Sequence, residues 1–142
     1  MKLSTRGKYG LYAMFYLAQH SGEGPQPLQD IATIGVPKLY LEQLLGNLRR
    51  EGLISSVRGA QGGYQLARDA SDITLLDIVD AMEGPIELSE CTSDESACDK
   101  SCSCPVRWVW QQVSDSINNE LKKIRLSDML NKPCESEEQP HE

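Results

Sequence analysis

The chain has 142 residues, 39% apolar and only 6% aromatic, which suits one ordinary domain or a small domain carrying a dimerisation arm. Its net charge of −7 is uneven: residues 1–68 hold eight Lys/Arg against four Asp/Glu, a net of +4, while the remainder holds six against seventeen, a net of −11. No apolar run approaches the ~18 residues of a membrane span, and MKLSTRGKYG lacks the apolar stretch and cleavage signature of a signal peptide, so the expectation is a cytoplasmic protein, with no membrane partner, whose basic half faces a polyanion.

Residues 6–20, RGKYGLYAMFYLAQH, place Leu11, Met14, Phe15, Leu17 and Ala18 at overlapping three- and four-residue spacings, the pattern of an amphipathic helix. The polar stretch SGEGPQP ends it, and PLQDIAT reads as a short second helix. Ile34-Gly35-Val36 predicts a tight turn in which Gly35 is free to take positive φ. Pro37 suits the first turn of a third helix, KLYLEQLLGNLRREG. There Tyr40, Leu41, Leu44, Leu45 and Leu48 form one apolar stripe, Arg49 and Arg50 stand at the end, and Gly52 is a stop signal. In 53-LISSVRGAQGGYQLA-67, two β-prone runs flank a glycine-rich tip, the composition of a hairpin.

This order predicts a mainly α fold with a β-hairpin wing, a winged helix-turn-helix followed by a long dimerisation helix. In that architecture the third helix can enter the major groove while the wing reaches backbone or minor groove. Lys38, Arg49, Arg50 and Arg58 lie on those elements and the acids mostly do not, which favours nucleic-acid binding over a small α+β domain without it.

ITLLDIVDAMEG reads as a further helix, ended at Gly84-Pro85. In residues 105–125, PVRWVWQQVSDSINNELKKIR, the apolar positions Trp110, Val113, Ile117, Leu121 and Ile124 are spaced 3, 4, 4 and 3, a heptad-like seam. Gln112, Ser114, Asp115, Asn118, Asn119 and Lys122 make the opposite, polar face. The seam suits a homodimer arm standing away from the N-terminal unit; the alternative is packing on its own domain. The tail NKPCESEEQPHE is acidic and proline-containing, the composition of disorder. The expected divisions are residues 1–83 for the DNA-binding domain, 84–104 for a cysteine-rich loop, 105–130 for the dimer helix and a short last helix, and 131–142 for the tail.

Four of the five cysteines, Cys91, Cys98, Cys102 and Cys104, fall within fourteen residues; Cys134 stands apart as a bystander, and His20 and His141 show no partner pattern. In a reducing cytosol such clusters are more often metal ligands or redox sensors than disulfides, and an odd count fits poorly with a closed disulfide framework. Three readings stay open: an iron–sulfur site, a zinc site and a thiol switch. Four thiolates can hold zinc, but the spacings CxxxxxxC, CxxxC and CxC lack the CxxC pairs of most structural zinc sites. Asp94, Glu95 and Asp99 disfavour thiolates and would slow a switch. The same acids would lower the potential of a bound cluster, partly opposed by Lys100 and Arg107. Enzyme readings find no phosphate loop, HExxH or nucleophile elbow.

The segments STRGKYGLYAM, YLEQLL..LR, VRGAQGGY and AMEGP, in this order over roughly residues 1–130, closely resemble the IscR/NsrR/CymR group of bacterial regulators, the Rrf-two family. The resemblance implies a homodimeric winged-helix transcription factor on a double-stranded operator. It also implies a long dimerisation helix after a loop which, in many members, carries three cysteines that bind an iron–sulfur cluster. Carried over, Glu42 and Gln43 match base-reading positions; Gln can pair with adenine and Glu can accept from cytosine N4. Tyr40, Arg58, Gly59, Gln61 and Gly62 match positions that touch phosphate or minor groove. Leu39 departs from the small polar residue expected there, and the turn before the third helix is one residue short.

The resemblance makes Cys91, Cys98 and Cys104 the cluster ligands, with Trp110 anchoring the alignment. Relatives often place a histidine where this chain has Arg107, which is always protonated and no iron ligand. Lys8 does not supply the aspartate of some nitric-oxide-sensing relatives, so Cys102 is the nearest candidate for the fourth position. The implied cofactor is an iron–sulfur cluster, 2Fe–2S favoured over 4Fe–4S; the implied partners are the operator, a second copy and cluster-donor proteins. The implied function is sensing of cluster or redox status to control iron–sulfur biogenesis genes. The alternatives are a thiol-redox or cysteine-metabolism regulator without a cluster, and a zinc-binding interaction module.

Overall fold

The computed structural model describes residues 4–85 and 105–131, so all five cysteines and the acidic tail lie outside the described residues. Helix α1 spans Thr5–Gln19, and the Ser4 side chain caps it by accepting from the Gly7 amide. Its buried face is Gly7, Gly10, Ala13, Met14, Leu17 and Ala18; Leu11 and Phe15 are half-buried at its edges. Helix α2, Leu28–Ile31, runs into a 3-10 turn over Ala32–Ile34. Gly35 then takes φ 94°, the left-handed conformation expected of this turn. Helix α3 spans Lys38–Arg50, with Pro37 one position earlier than expected, as the N-cap. Leu41, Leu44, Leu45 and Leu48 are buried along it, and Gly52 follows its end with φ 77°.

The wing is β1, Ile54–Val57, antiparallel to β2, Gly63–Leu66, in the register Ile54↔Leu66 to Val57↔Gly63. An isolated bridge adds Gln26 to its outer edge: Gln26 and Tyr64 exchange two backbone hydrogen bonds of 2.8 Å each. Gly63 makes this approach possible, because a β-carbon there would lie 2.2 Å from the Gln26 carbonyl oxygen.

Helix α4, Leu75–Glu83, starts with a capping box. The Asp77 amide donates to Thr74 Oγ1 at 3.2 Å, and the Thr74 amide donates to Asp77 Oδ2 at 3.0 Å. Gly84 ends it as expected. Helices α1 and α4 cross closely at Gly10, where a β-carbon would come within 2.4 Å of Met82 Sδ. Arg6 reinforces the crossing by donating from Nη1 to the Met82 carbonyl at 3.3 Å, a cation at a helix C-terminus.

Helix α5 covers Pro105–Lys123 and α6 covers Leu126–Leu130. These do not stand apart from the N-terminal unit, contrary to the sequence expectation. Leu126 is 1% exposed inside the same core as Met14, Ile31, Leu45 and Ile78. Backbone bonds from Leu126 to Ile73 (2.9 Å) and from Leu75 to Ile124 (2.8 Å) fasten the turn before α6 to the approach of α4. Arg125 Nη1 donates to the Ser71 carbonyl at 2.7 Å beside them. Helices α5 and α6 therefore belong to the same folded unit as α1 to α4.

Candidate nucleic-acid interface

The core stripe of α3 fixes which residues it presents outward. With Leu41, Leu44, Leu45 and Leu48 turned in, Lys38, Leu39, Glu42, Gln43, Arg49 and Arg50 are exposed. The first turn has no side-chain cap, because Pro37 supplies none, and Lys38 stands exposed at this positive end of the helix dipole. Tyr40 is half-buried, packed edge-on against Tyr9 of α1 with ring centroids 6.0 Å apart at 79°. This contact ties the start of α3 to the first helix.

The wing lies beside the C-terminal end of α3. Arg49 Nη1 donates to Ser56 Oγ on β1 at 3.1 Å, which holds the guanidinium between helix and hairpin. At the hairpin tip Arg58, Gly59 and Gln61 are exposed and Gly62 is half-buried. The tip closes by a Gly62 amide bond to the Gly59 carbonyl at 3.0 Å. A β-carbon on Gly62 would fall 2.1 Å from the Val57 carbonyl oxygen, so its lack of a side chain serves the turn itself. The fold thus brings Lys38, Glu42, Gln43, Arg49, Arg50 and the Arg58–Gln61 tip onto α3 and the adjoining wing.

The second surface is on α5. Trp110, Val113 and Ile124 are exposed, while Ile117 and Leu121 are half-buried. Ser114, expected on a polar outer face, is 3% exposed and is the buried residue of this helix, which packs on α4. Its small side chain suits the close contact, and its hydroxyl finds no hydrogen-bond partner among the described residues. The exposed apolar surface is also larger than the five-residue seam: Val106 and Val109 lie on the same side of the helix, while Trp108, 65% exposed, stands on another side. Val106 and Val109 precede the first heptad-spaced position. Lys122 of α5 acts electrostatically on Asp80 of α4; burial first, then Asp77 and Glu51, raise the Asp80 pKa, and Lys122 opposes the rise.

The cluster ligands expected from the sequence, Cys91, Cys98, Cys104 and Cys102, lie outside the described residues. Among the described residues no group of three or more His, Cys, Asp or Glu is placed to hold a metal ion. No helix among the described residues is long and apolar enough to cross a membrane.

A family model described as "Iron-dependent Transcriptional regulator" matches residues 3–132. The chain belongs to the Rrf2 family. Among its curated relatives, the "HTH-type transcriptional regulator IscR" of Photorhabdus laumondii is 39% identical over 132 residues, covering 92% of this chain and 80% of the relative. The solved structure of T. potens IscR is 45% identical, covers 92% of this chain and 86% of its own, and superposes with a TM-score of 0.73. CymR of B. subtilis, described as the global cysteine regulator, is 39% identical with a TM-score of 0.71, covering 91% and 95% of the two chains. Rrf2 membership together with IscR relatives along most of the sequence makes this chain a winged-helix transcription regulator of the IscR type.

Proposed function

We propose that this Rrf2 protein binds duplex DNA as a homodimer, in the cytoplasm, and senses iron–sulfur cluster status to control iron–sulfur biogenesis genes. The observation that carries the DNA reading is the outward face of α3 beside the wing. It sets two base-reading side chains, Glu42 and Gln43, among four exposed cations, Lys38, Arg49, Arg50 and Arg58. In this reading Gln43 pairs with an adenine edge, Glu42 accepts from cytosine, and the cations and the Gly59–Gln61 tip hold the backbone or the minor groove. Tyr40 contributes its exposed edge to phosphate and its buried edge to the contact with Tyr9. A second copy covers the apolar face of α5, with Trp110, Val113, Ile117, Leu121 and Ile124 joined by Val106 and Val109.

Cys91, Cys98 and Cys104, with Cys102 as the fourth thiol, would hold the cluster, 2Fe–2S in preference to 4Fe–4S. When bound, it supplies a thiolate-ligated centre whose loss or oxidation is the signal. Residues 86–104 join the end of α4 to the start of α5. Restraint on them bears on the α4–α5 contact, and α4 in turn packs against α3. The position of the reading helix relative to the dimer axis is thereby the quantity that the cysteines bias. The likeness to CymR favours, as the second reading, a thiol regulator that needs no cluster.

Selection of a binding site from randomised duplexes, followed by titration with Gln43→Ala, tests the DNA reading. Loss of one bidentate base contact is worth about 1–3 kcal/mol and relaxes the preference at one base pair per half-site. Unchanged affinity and preference would remove Gln43 from the interface.

A further inference from the structure

Leu39 is 73% exposed, more than any other large apolar side chain among the described residues. It stands in the first turn of α3, and with 3.6 residues per turn it shares one outward stripe with Gln43, Gly46 and Arg50, at spacings of four, three and four. The fold gains nothing from an apolar group at this place, since the core stripe of the helix lies on the opposite side. A second feature of the stripe points the same way. Gly46 sits in the helix interior, where glycine weakens a helix, yet a β-carbon there would meet nothing within 4 Å. The missing side chain lowers the outward surface of α3 and lets a partner come close.

The major groove presents one apolar group among its donors and acceptors, the C5-methyl of thymine. We propose that Leu39 reads a thymine methyl in the major groove, next to the base edges met by Glu42 and Gln43. The inference rests on the DNA-binding reading and adds a specificity-determining residue to it. It gives Leu39 a chemical role: it sets an operator preference for thymine at one position of each half-site.

The test uses the full-length dimer and the duplex selected above, with each thymine replaced in turn by deoxyuridine, which pairs identically and lacks only the methyl. One thymine per half-site is expected at which the replacement weakens wild-type binding about fourfold, the ratio for one buried methyl-sized group. Replacing both symmetry-related thymines should then weaken it about sixteenfold by the same arithmetic. Leu39→Ala and Leu39→Gln should bind the thymine and uracil duplexes equally well. Both variants should melt like wild type, because the side chain lies outside the core. A wild type indifferent to every uracil, or variants that keep the uracil penalty, would overturn the role of Leu39 while leaving DNA binding intact. Failure of the wild type to select any duplex would overturn the DNA reading and the role of Leu39 together.

Discussion

Replacing Gly63 by alanine tests whether the wing is held to the body through the Gln26–Tyr64 bridge. The new β-carbon would sit 2.2 Å from the Gln26 carbonyl oxygen, 2.3 Å from its carbon and 2.8 Å from the Pro27 nitrogen. All three are backbone atoms, so no rotamer change relieves the clash. The bridge must open, and with it go two hydrogen bonds of 2.8 Å, each worth about 0.5–1.5 kcal/mol net. Holding alanine at φ 152° adds a backbone cost of order 1 kcal/mol or more. Together these give a destabilisation of about 2–5 kcal/mol. Urea denaturation followed by circular dichroism, at one protein concentration because the proposed unit is a dimer, measures it. Gln26→Ala is the control: it keeps the backbone bridge and should cost less than about 1 kcal/mol. A Gly63→Ala protein within about 0.5 kcal/mol of wild type would refute the bridge as the anchor of the wing.

Three further outcomes follow from the surfaces and charges. With Lys38, Arg49, Arg50 and Arg58 on both halves of a dimer, full phosphate contact would give log affinity a slope against log salt of about −7, and Arg58→Ala should reduce its magnitude by about 1.8; a flat salt dependence would contradict phosphate-driven binding. Val113→Asp places a charge on the exposed apolar face of α5 and should yield monomers in analytical ultracentrifugation, whereas an unaltered dimer would move the interface elsewhere. Asp80, whose pKa is raised by burial, then by Asp77 and Glu51, is costlier to ionise folded than unfolded. Its stability penalty is absent below the ordinary carboxylate pKa of ~4, grows as pH rises through the folded value, and is full at neutral pH. Asp80→Asn should therefore raise the melting temperature at pH 7 and lose that advantage below pH ~4; an equal gain at both would refute the assignment.

The helices and the hairpin were legible because their periods and punctuation are local. The leucines of α3 repeat at three and four residues, Gly35 and Gly52 take the positive φ their turns require, and the glycine-rich tip marks the wing. What the sequence concealed depends on neighbours distant in the chain. Gln26 joins the hairpin as a single bridged residue, too short for any period to register. Leu126 enters the core from a five-residue helix that carries no long stripe. Ser114 looks like a surface residue on a heptad wheel, and only the α4 surface against which it packs makes it an inner one. Among the candidate site residues, composition and order pointed to the cations, and the family resemblance pointed to Glu42 and Gln43. The extension of the apolar α5 face to Val106 and Val109 needed the folded chain, because α4 determines which side of α5 remains open.

In the proposed function, cluster status at the cysteines governs DNA binding. The direct measurement is the operator affinity of one anaerobic preparation before and after removal of its iron and sulfide, with both elements assayed and the visible spectrum recorded. The expected result is a coloured protein containing iron and sulfide, and a change in Kd of about tenfold or more on their removal, equivalent to ~1.4 kcal/mol of coupling. Cys98→Ala should abolish that change. A colourless protein without iron after anaerobic reconstitution, or the same Kd in both states, would contradict it.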